Sequence, residues 1–420
     1  MNRLPSVAGF LGFIHNARMG IDLRWTGKEA ADLVGRTRAL CYAAGVGEAE
    51  VYQQRLAADP RVTGDDLLTA ERDGLPVGTA TSYSQTMWVR GRPIPCQGVA
   101  YVGTIKTHRR SGGVASAIMN EVLRKGRERG QVVSALMPFR ASFYEHFGYG
   151  LIERRATWTI PLSVMPSGTS EGFRVIQGAD PARVRCRQRM VEAGQCDIER
   201  SAGAWAFWTP QEGSGYVVGD WQGGEMASWL SWSQQKLNGK DILVVEDSAY
   251  ESLEAFRRAL CFLGTLRDQY WGVTLTVAAD FPLNRLLKES QVPHRPVNHD
   301  VAEVKSFTRM QVRVLDHLAL LNGMRVPAEL RGQAVVGVQE CDGSVSRFKI
   351  DFENGRASAS LTSVAADLEC SDVNWAPLVL GDMAASRAAS LGLVRIQRPD
   401  AVALLDGFAR GPAPFCNEYF

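Results

Sequence analysis

The stretch from Val99 to Gly150 constrains this chain more than any other. An apolar run, Val99-Ala100-Tyr101-Val102-Gly103-Thr104-Ile105, reads as a strand. The chain then passes through Arg109-Arg110-Ser111-Gly112-Gly113 into a segment with apolar residues at Val114, Ala117, Ile118, Val122 and Leu123. That i, i+3, i+4 spacing predicts a helix with one buried face. Glycines at such a joint let the backbone turn tightly and come close to a ligand, so the unpaired N–H groups of the helix start can meet an anion. Arg109 and Arg110 add charge. The ordinary alternative is that the glycines serve packing, and a glycine-rich turn alone does not decide between the two.

The spacing departs from two common phosphate loops. There is no G-x-G-x-x-G with an acidic residue about 20 positions on, and no G-x-x-x-x-G-K-[ST]. Instead Arg110 to Ala115 reads R-x-x-G-x-A, followed by a strand-like Gln131 to Leu136 and then Phe143-Tyr144-Glu145-His146-Phe147-Gly148-Tyr149-Gly150. This pattern resembles the GNAT family of acetyl-coenzyme A-dependent N-acetyltransferases. The resemblance implies that Arg109, Arg110, Ser111, Gly112, Gly113, Val114 and Ala115 hold the CoA pyrophosphate. It also implies that backbone groups of Val102, Gly103 and Thr104 pair with the pantetheine amides, and that Tyr144 lies beside the thioester.

Thr107-His108-Arg109-Arg110, the Phe-Gly-Tyr-Gly after Tyr144, the length and the ending Ala413-Pro414-Phe415-Cys416-Asn417-Glu418-Tyr419-Phe420 narrow the likeness. Together they resemble the Eis (enhanced intracellular survival) family of GNAT N-acetyltransferases over nearly the whole chain from about Trp25. That resemblance implies the chain's own terminal carboxylate, at Phe420, as the base. It places Tyr101 and Glu418 on the acceptor side and implies a homo-oligomer, a hexamer. Two departures touch the cofactor mouth: Lys106 stands where the family commonly has proline, and Phe139-Arg140-Ala141-Ser142 where it has small or acidic residues. Phe139 and Arg140 are therefore candidate cofactor contacts, and Arg140 can also repel a cationic substrate.

With 420 residues and roughly 100–200 residues per domain, the chain exceeds one small core. The fold class expected is α+β: tandem GNAT-like domains, the second degenerate, followed by a domain resembling sterol carrier proteins. Boundaries are placed at 1–24 for an N-terminal extension, 25–160 for the CoA-binding domain, 161–172 for a linker rich in Pro, Ser and Gly, 173–323 for the degenerate half and 324–420 for the last domain. The formal charge of +2 from 47 basic and 45 acidic residues provides no global field for nucleic acid or an anionic membrane. Eight cysteines without C-x-x-C spacing read as isolated thiols in a reducing, cytoplasmic setting. The scattered histidines suggest no metal site, and no run approaches the ~18 apolar residues of a membrane span. Arg3 followed by Leu4 to Ile14 faintly resembles a signal peptide, but its apolar part contains Gly9 and Gly12 and no A-x-A cleavage site follows.

Helices are predicted over Glu29–Leu40 and Tyr52–Ala58, a hairpin over Asp66–Tyr83 turning at Arg72-Asp73-Gly74, and a further strand at Met87–Arg90 turning at Gly91-Arg92-Pro93. The order returns beyond residue 172: a helix over Pro181–Ala193, a hairpin at Asp220–Gly224, a strand over Asp241–Glu246 and a helix over Ser252–Leu263. Asp247-Ser248-Ala249-Tyr250 replaces the glycine turn there, so this half is expected to bind no CoA. The last part predicts strands at Gln333–Gln339, Arg347–Phe352 and Arg356–Leu361, with an Asn354-Gly355 turn, then helices after Ser371-Asp372 and Pro399-Asp400. A lipid-binding role for it requires an open apolar tunnel, and a filled core is the alternative.

The expected reaction is direct acetyl transfer from acetyl-CoA to a primary amine of a small polyamine-like acceptor such as an aminoglycoside, in a ternary complex without metal. Tyr144 supplies the proton for the thiolate and Phe420 takes the amine proton. The ordinary alternatives are a core aromatic for Tyr144 and a frayed tail for Phe420. A peptide or protein lysine N-acyltransferase and a non-catalytic CoA- or lipid-binding protein remain open as alternative functions.

Overall fold

The computed structural model describes residues 14–16, 20–42, 48–110, 112–209, 216–291 and 300–420. Ser111 and the apolar stretch before Ile14 lie outside the described residues. Among the described residues, five two-residue turns join antiparallel strands. At Asp73-Gly74, Arg90-Gly91, Gly223-Gly224, Asn238-Gly239 and Asn354-Gly355 both residues have positive φ, as in the type I′ geometry whose twist matches the strands it joins. The second turn lies one residue earlier than the sequence suggests: Arg90, not Gly91, takes its first left-handed position, and Arg92 already belongs to a strand.

The chain divides into two compact units. The first comprises Met1–Tyr83, Gln97–Gly130 and Phe420. Its elements are β1 (Ile14–Asn16), β2 (Ile21–Thr26), α1 (Ala31–Tyr42), α2 (Ala49–Ala58), β3 (Leu67–Arg72), the first part of β4 (Leu75–Val89), the last part of β5 (Arg92–Thr104) and α3 (Val114–Glu128). The strands lie in the order β1-β2-β3-β4-β5. β4 is one 15-residue strand where the sequence suggests two. α3 buries Val114, Ala117, Ile118, Val122 and Leu123, the face its spacing predicts. A core of Ala31, Val34, Leu56, Val62, Leu67, Tyr83 and Ala100 joins α1 and α2 to the strands, and Phe420 packs against it.

The second unit comprises Ser84–Cys96 and Gln131–Tyr419. It begins with β6 (Val133–Leu136), α4 (Ala141–Glu145), β7 (Gly150–Leu151), β8 (Arg154–Pro161), β9 (Phe173–Val175), α5 (Pro181–Ala193), β10 (Asp197–Ile198) and α6 (Ala202–Trp208). There follow β11 (Tyr216–Gln222), β12 (Glu225–Leu237), β13 (Lys240–Tyr250), α7 (Leu253–Gly264), β14 (Gly272–Ala278), β15 (Glu303–Thr308), β16 (Gln311–Val314) and α8 (His317–Leu321). The last part holds β17 (Gly332–Gln339), β18 (Val345–Glu353), β19 (Arg356–Leu361), β20 (Leu368–Ser371), α9 (Asp372–Val379), α10 (Ala385–Ser390), β21 (Val394–Ile396) and α11 (Pro399–Leu405).

Two strands of this unit lie beside partners far from them in sequence. β8 sits between β15 and β14 in a sheet ordered β15-β8-β14-β13-β12-β11-β9, and β16 lies between β6 and β7. Burial explains both placements. Ala156 and Ile160 of β8 enter the core formed by Leu243, Leu260, Val273 and Val277, while Val312 of β16 is fully buried and Gln311 donates to the Tyr149 carbonyl at 3.1 Å. Leu162, Val164 and Met165 of the Pro/Ser-rich stretch are buried in the same core as β8.

Where α3 follows a glycine turn, α7 follows a strand paired through Tyr250 and starts on Ser252, whose hydroxyl accepts from the Ala255 N–H. The last sheet runs β19-β18-β17-β20-β21. Phe348, Phe352, Trp375 and Phe408 fill its core, with successive ring centroids 5.4–6.4 Å apart. All eight cysteines are free thiols. No helix among the described residues is long and apolar enough to cross a membrane.

Candidate active site

The first unit builds the joint between β5 and α3 from backbone conformation. Arg110, Gly112 and Gly113 have φ of 61°, 65° and 69°. These left-handed residues deliver the chain to Val114, and the first turn's hydrogen bond runs from the Ala117 N–H to the Gly113 carbonyl at 2.9 Å. The N–H groups of Val114, Ala115 and Ser116 precede that bond, so the helix itself does not use them. Val114 is buried and Ala115 half-buried, whereas Arg109, Arg110, Gly112 and Gly113 are exposed. The arrangement offers backbone donors, a helix dipole and two guanidinium groups to an anion. The donor set suits a pyrophosphate.

A third arginine escaped sequence reasoning. Arg72, at the end of β3, donates to the Gly112 carbonyl at 2.7 Å, and a Cβ on Gly112 would collide with its guanidinium. Gly112 therefore meets two demands, positive φ and close approach. Gly103, buried in β5, meets a similar one, since a Cβ there would lie 2.9 Å from the Tyr42 hydroxyl. Val102 and Thr104 beside it are half-buried.

Tyr101 has φ of 52° inside β5. A non-glycine residue in that region within a strand marks a bulge that re-aims side chains. Its exposed ring carries the Arg38 guanidinium 3.9 Å above the centroid and meets Tyr42 edge-on at 6.5 Å. Arg38 is buried, donates to the Thr81 hydroxyl at 2.5 Å, and is shifted below its ordinary value by burial. Beside it Asp59 accepts from Arg61 Nε and Nη2 at 2.9 and 2.8 Å and from the Tyr83 hydroxyl at 3.2 Å. Burial pushes the neighbouring Cys41 thiol up to about 12, so it is protonated at neutral pH. The Phe420 ring rests on the Tyr83 and Ala100 core, so the terminal residue is docked rather than frayed.

The second unit holds Tyr144, Phe139, Arg140 and Glu418. Tyr144 is buried in α4 among the rings of Phe143 at 4.9 Å, Phe139 at 5.7 Å and Tyr149 at 6.1 Å. Burial, with Tyr149 adding to it, holds its phenol well above the ordinary tyrosine range. It keeps its proton at neutral pH, so the group present is the neutral phenol. Tyr149 is tied to the Ser134 hydroxyl at 2.7 Å. Phe139 is 67 % exposed, and Arg140 is an exposed residue capping α4.

Glu418 takes a different part from the one its sequence position suggests. It is 1 % exposed, accepts from Arg200 Nε at 2.7 Å and from Trp208 Nε1 at 3.2 Å, and so does not face a substrate with a free charge. Arg200 also reaches Asp247 at 2.6 Å; Asp247 lies within β13, which runs on to Tyr250 where the sequence suggests the strand ends at Glu246. Around it Asn417 N–H donates to Asp197, Cys416 N–H to Glu153, Arg155 to the Cys416 carbonyl, and Arg309 to the carbonyls of Cys416 and Glu418. Residues 416–418 are locked by buried charges immediately before Phe420.

Residues 28–152 match the acetyltransferase (GNAT) domain model. That stretch is a GNAT acetyltransferase domain, and the chain bearing it is an acyltransferase of that type; the domain implies acetyl-CoA as co-substrate. An uncharacterised N-acetyltransferase of Streptomyces griseus is 24 % identical over 441 residues, covering 96 % of this chain and 100 % of its own. A GCN5-related N-acetyltransferase from Anabaena variabilis superposes with a TM-score of 0.82 at 17 % identity, covering 95 % of this chain and all of its own. Eis1 from Mycobacterium abscessus shares the fold with a TM-score of 0.76 at 21 % identity over 95 % of this chain and all of its own.

Proposed function

We propose that this protein is an Eis-type N-acetyltransferase that moves the acetyl group of acetyl-CoA to a primary amine of a small polyamine-like acceptor such as an aminoglycoside, directly and within a ternary complex. The observation that carries the reading is the left-handed turn through Arg110, Gly112 and Gly113, which opens the N-terminus of α3. In this reading Arg109, Arg110 and the backbone from Ser111 to Ala115 hold the pyrophosphate, with Arg72 bracing the turn. Val102, Gly103 and Thr104 pair with pantetheine, Phe139 and Arg140 flank the mouth, and Tyr101 lines the acceptor side.

The amine nitrogen attacks the thioester carbonyl, a C–N bond forms and the C–S bond breaks. The departing thiolate takes the Tyr144 phenol proton. The ammonium proton passes to the Phe420 carboxylate, directly or through water, because an acid with reference pKa near ~3.5 is ionised at neutral pH. Glu418 acts in holding the tail and not on the substrate. Residues 25–160 form the catalytic domain, 173–323 the degenerate GNAT-like half and 324–420 the domain resembling sterol carrier proteins. The assembly is a homohexamer in a cytoplasmic setting.

Thiol release from acetyl-CoA, measured against aminoglycosides, polyamines and lysine peptides in parallel, tests the acceptor class. Turnover with the small polyamines and aminoglycosides is expected. Turnover with lysine peptides alone would replace the acceptor assignment and keep the chemistry.

A further inference from the structure

The second unit contains a cavity of about 400 Å³ lined by none of the residues assigned to the proposed reaction. It lies where the β4–β5 turn meets the end of α5 and the segment after α8, and three arginines line it: Arg90, Arg325 and Arg410. We propose that this cavity binds a small multivalent oxyanion, a molecule bearing two or more phosphate or carboxylate groups.

The charge balance is the first argument. Arg90 is half-buried, and its guanidinium donates to the carbonyls of Phe408 and Arg410. Neutral carbonyls fix its direction and leave its charge uncancelled. Its Nε is buried without a partner, and burial lowers its pKa, so the positive form is desolvated at a cost that an anion would offset. Among the described residues no carboxylate pairs with Arg90 or Arg325. Arg410 meets Glu329 at 2.9 Å, but both side chains are more than half exposed, and such pairs contribute little. The one acid in the lining, Glu192, is exposed and accepts an amide hydrogen from Gln188 at 3.0 Å, so a single carboxylate stands against three guanidinium groups and the lining stays net positive.

Backbone geometry is the second argument. Arg90 occupies a left-handed position, φ 51°, where asparagine or glycine is the unstrained choice for this turn. Its N–H is held by Gln195 Oε1 at 2.9 Å, so the strained residue is anchored from both ends. Next to it, a Cβ on Gly91 would lie 2.8 Å from Arg325 Nη1. The absence of that side chain is what lets the second guanidinium reach the cavity. Guanidinium forks suit paired oxygen atoms of phosphate or carboxylate.

The test must separate this cavity from the GNAT cradle, which also attracts phosphates. Calorimetric titrations are therefore made on the full chain saturated with CoA, using inorganic pyrophosphate, citrate and acetate as probes. One added binding event per chain is expected for pyrophosphate or citrate, and none for acetate at the same concentrations; the stronger of the first two identifies the oxyanion. Arg325→Ala and Arg410→Ala remove exposed side chains, and each should weaken that event about tenfold or more with CoA affinity and thermal unfolding unchanged. Absence of a second event in the CoA-saturated protein, binding of acetate as tight as that of the multivalent probes, or unchanged affinity in both variants would overturn the proposal. Failure of acetyl transfer would leave this result untouched, because the readout is binding alone.

Discussion

Replacing Arg200 by glutamine should detach the end of the chain without touching the cofactor cradle. Arg200 and Glu418 are 5 % and 1 % exposed as side chains and meet at 2.7 Å, and Asp247 draws on the same guanidinium. Burial raises the Glu418 carboxyl, and Arg200 and Arg187 work against that rise. Arg200→Gln leaves two carboxylates sharing one environment with Arg187 as the remaining cation. Breaking a buried pair from one side costs about 3–5 kcal/mol. The bonds at Cys416 and Asn417 to Glu153, Asp197, Arg155 and Arg309 survive, as does the one from Arg309 to the Glu418 carbonyl, so the loss falls on the Glu418 side chain and the two residues after it. A loss of about 3 kcal/mol moves the ratio of docked to undocked ends by roughly 150-fold. With Phe420 as the base, turnover should fall, by at most about 10²-fold, while CoA affinity is unchanged. Glu418→Gln should cost far less, because Arg200 keeps Asp247 and no acid is stranded. Thiol-release kinetics paired with CoA calorimetry reads both. Wild-type turnover in a folded Arg200→Gln protein would refute the argument, as would equal losses in the two variants.

Tyr144→Phe keeps the ring among Phe139, Phe143 and Tyr149 but removes the proton, so turnover should drop within the ~10²–10⁴-fold range of general acid–base groups, with CoA binding retained. Gly112→Val forces a β-branched residue to φ near +65° and against Arg72, so calorimetry should show loss of CoA binding in a folded protein, whose stability falls by ~1–2 kcal/mol. Extending the chain by a few glycines after Phe420 displaces the carboxylate while keeping every side chain, and thiol release should fall as in Arg200→Gln. Burial alone would raise Asp59, but Arg61 reverses this and leaves its carboxyl below the usual range. Its contribution to stability is present above about pH 4 and lost as pH falls below that. Urea unfolding across this window should show the acid limb flattened in Asp59→Asn, and an unchanged limb would contradict the assignment.

Local chemistry made much of this fold legible. The Asn354-Gly355 turn, the apolar stripe of α3, Pro181 opening α5 and Ser252 before α7 each need only neighbours within a few residues. The glycine turn at Gly112 and Gly113 is also local, which is why a tight turn before α3 is legible in the sequence. Arg72, Arg38 and Arg200 could not. Their partners Gly112, Tyr101 and Glu418 stand 40, 63 and 218 positions away, and no periodicity links an arginine to a distant carbonyl, ring or carboxylate. The same distance hid β8 and β16, whose apolar residues announce a strand without saying which sheet receives it. Nor does sequence alone show that Glu418 is buried under Arg200, because an exposed glutamate and one paired with a distant arginine look alike there.

Acetyl transfer itself is tested most directly by following both products of one reaction. The full chain is incubated with acetyl-CoA and a polyamine or aminoglycoside, free thiol is measured by colorimetry, and the amine is weighed by mass spectrometry. Thiol and singly or multiply acetylated amine should appear in matching amounts, and both should vanish in Gly112→Val. Tight CoA binding by the wild-type protein with no acetylated product from any class of amine would contradict the assignment and leave a CoA-binding protein without turnover.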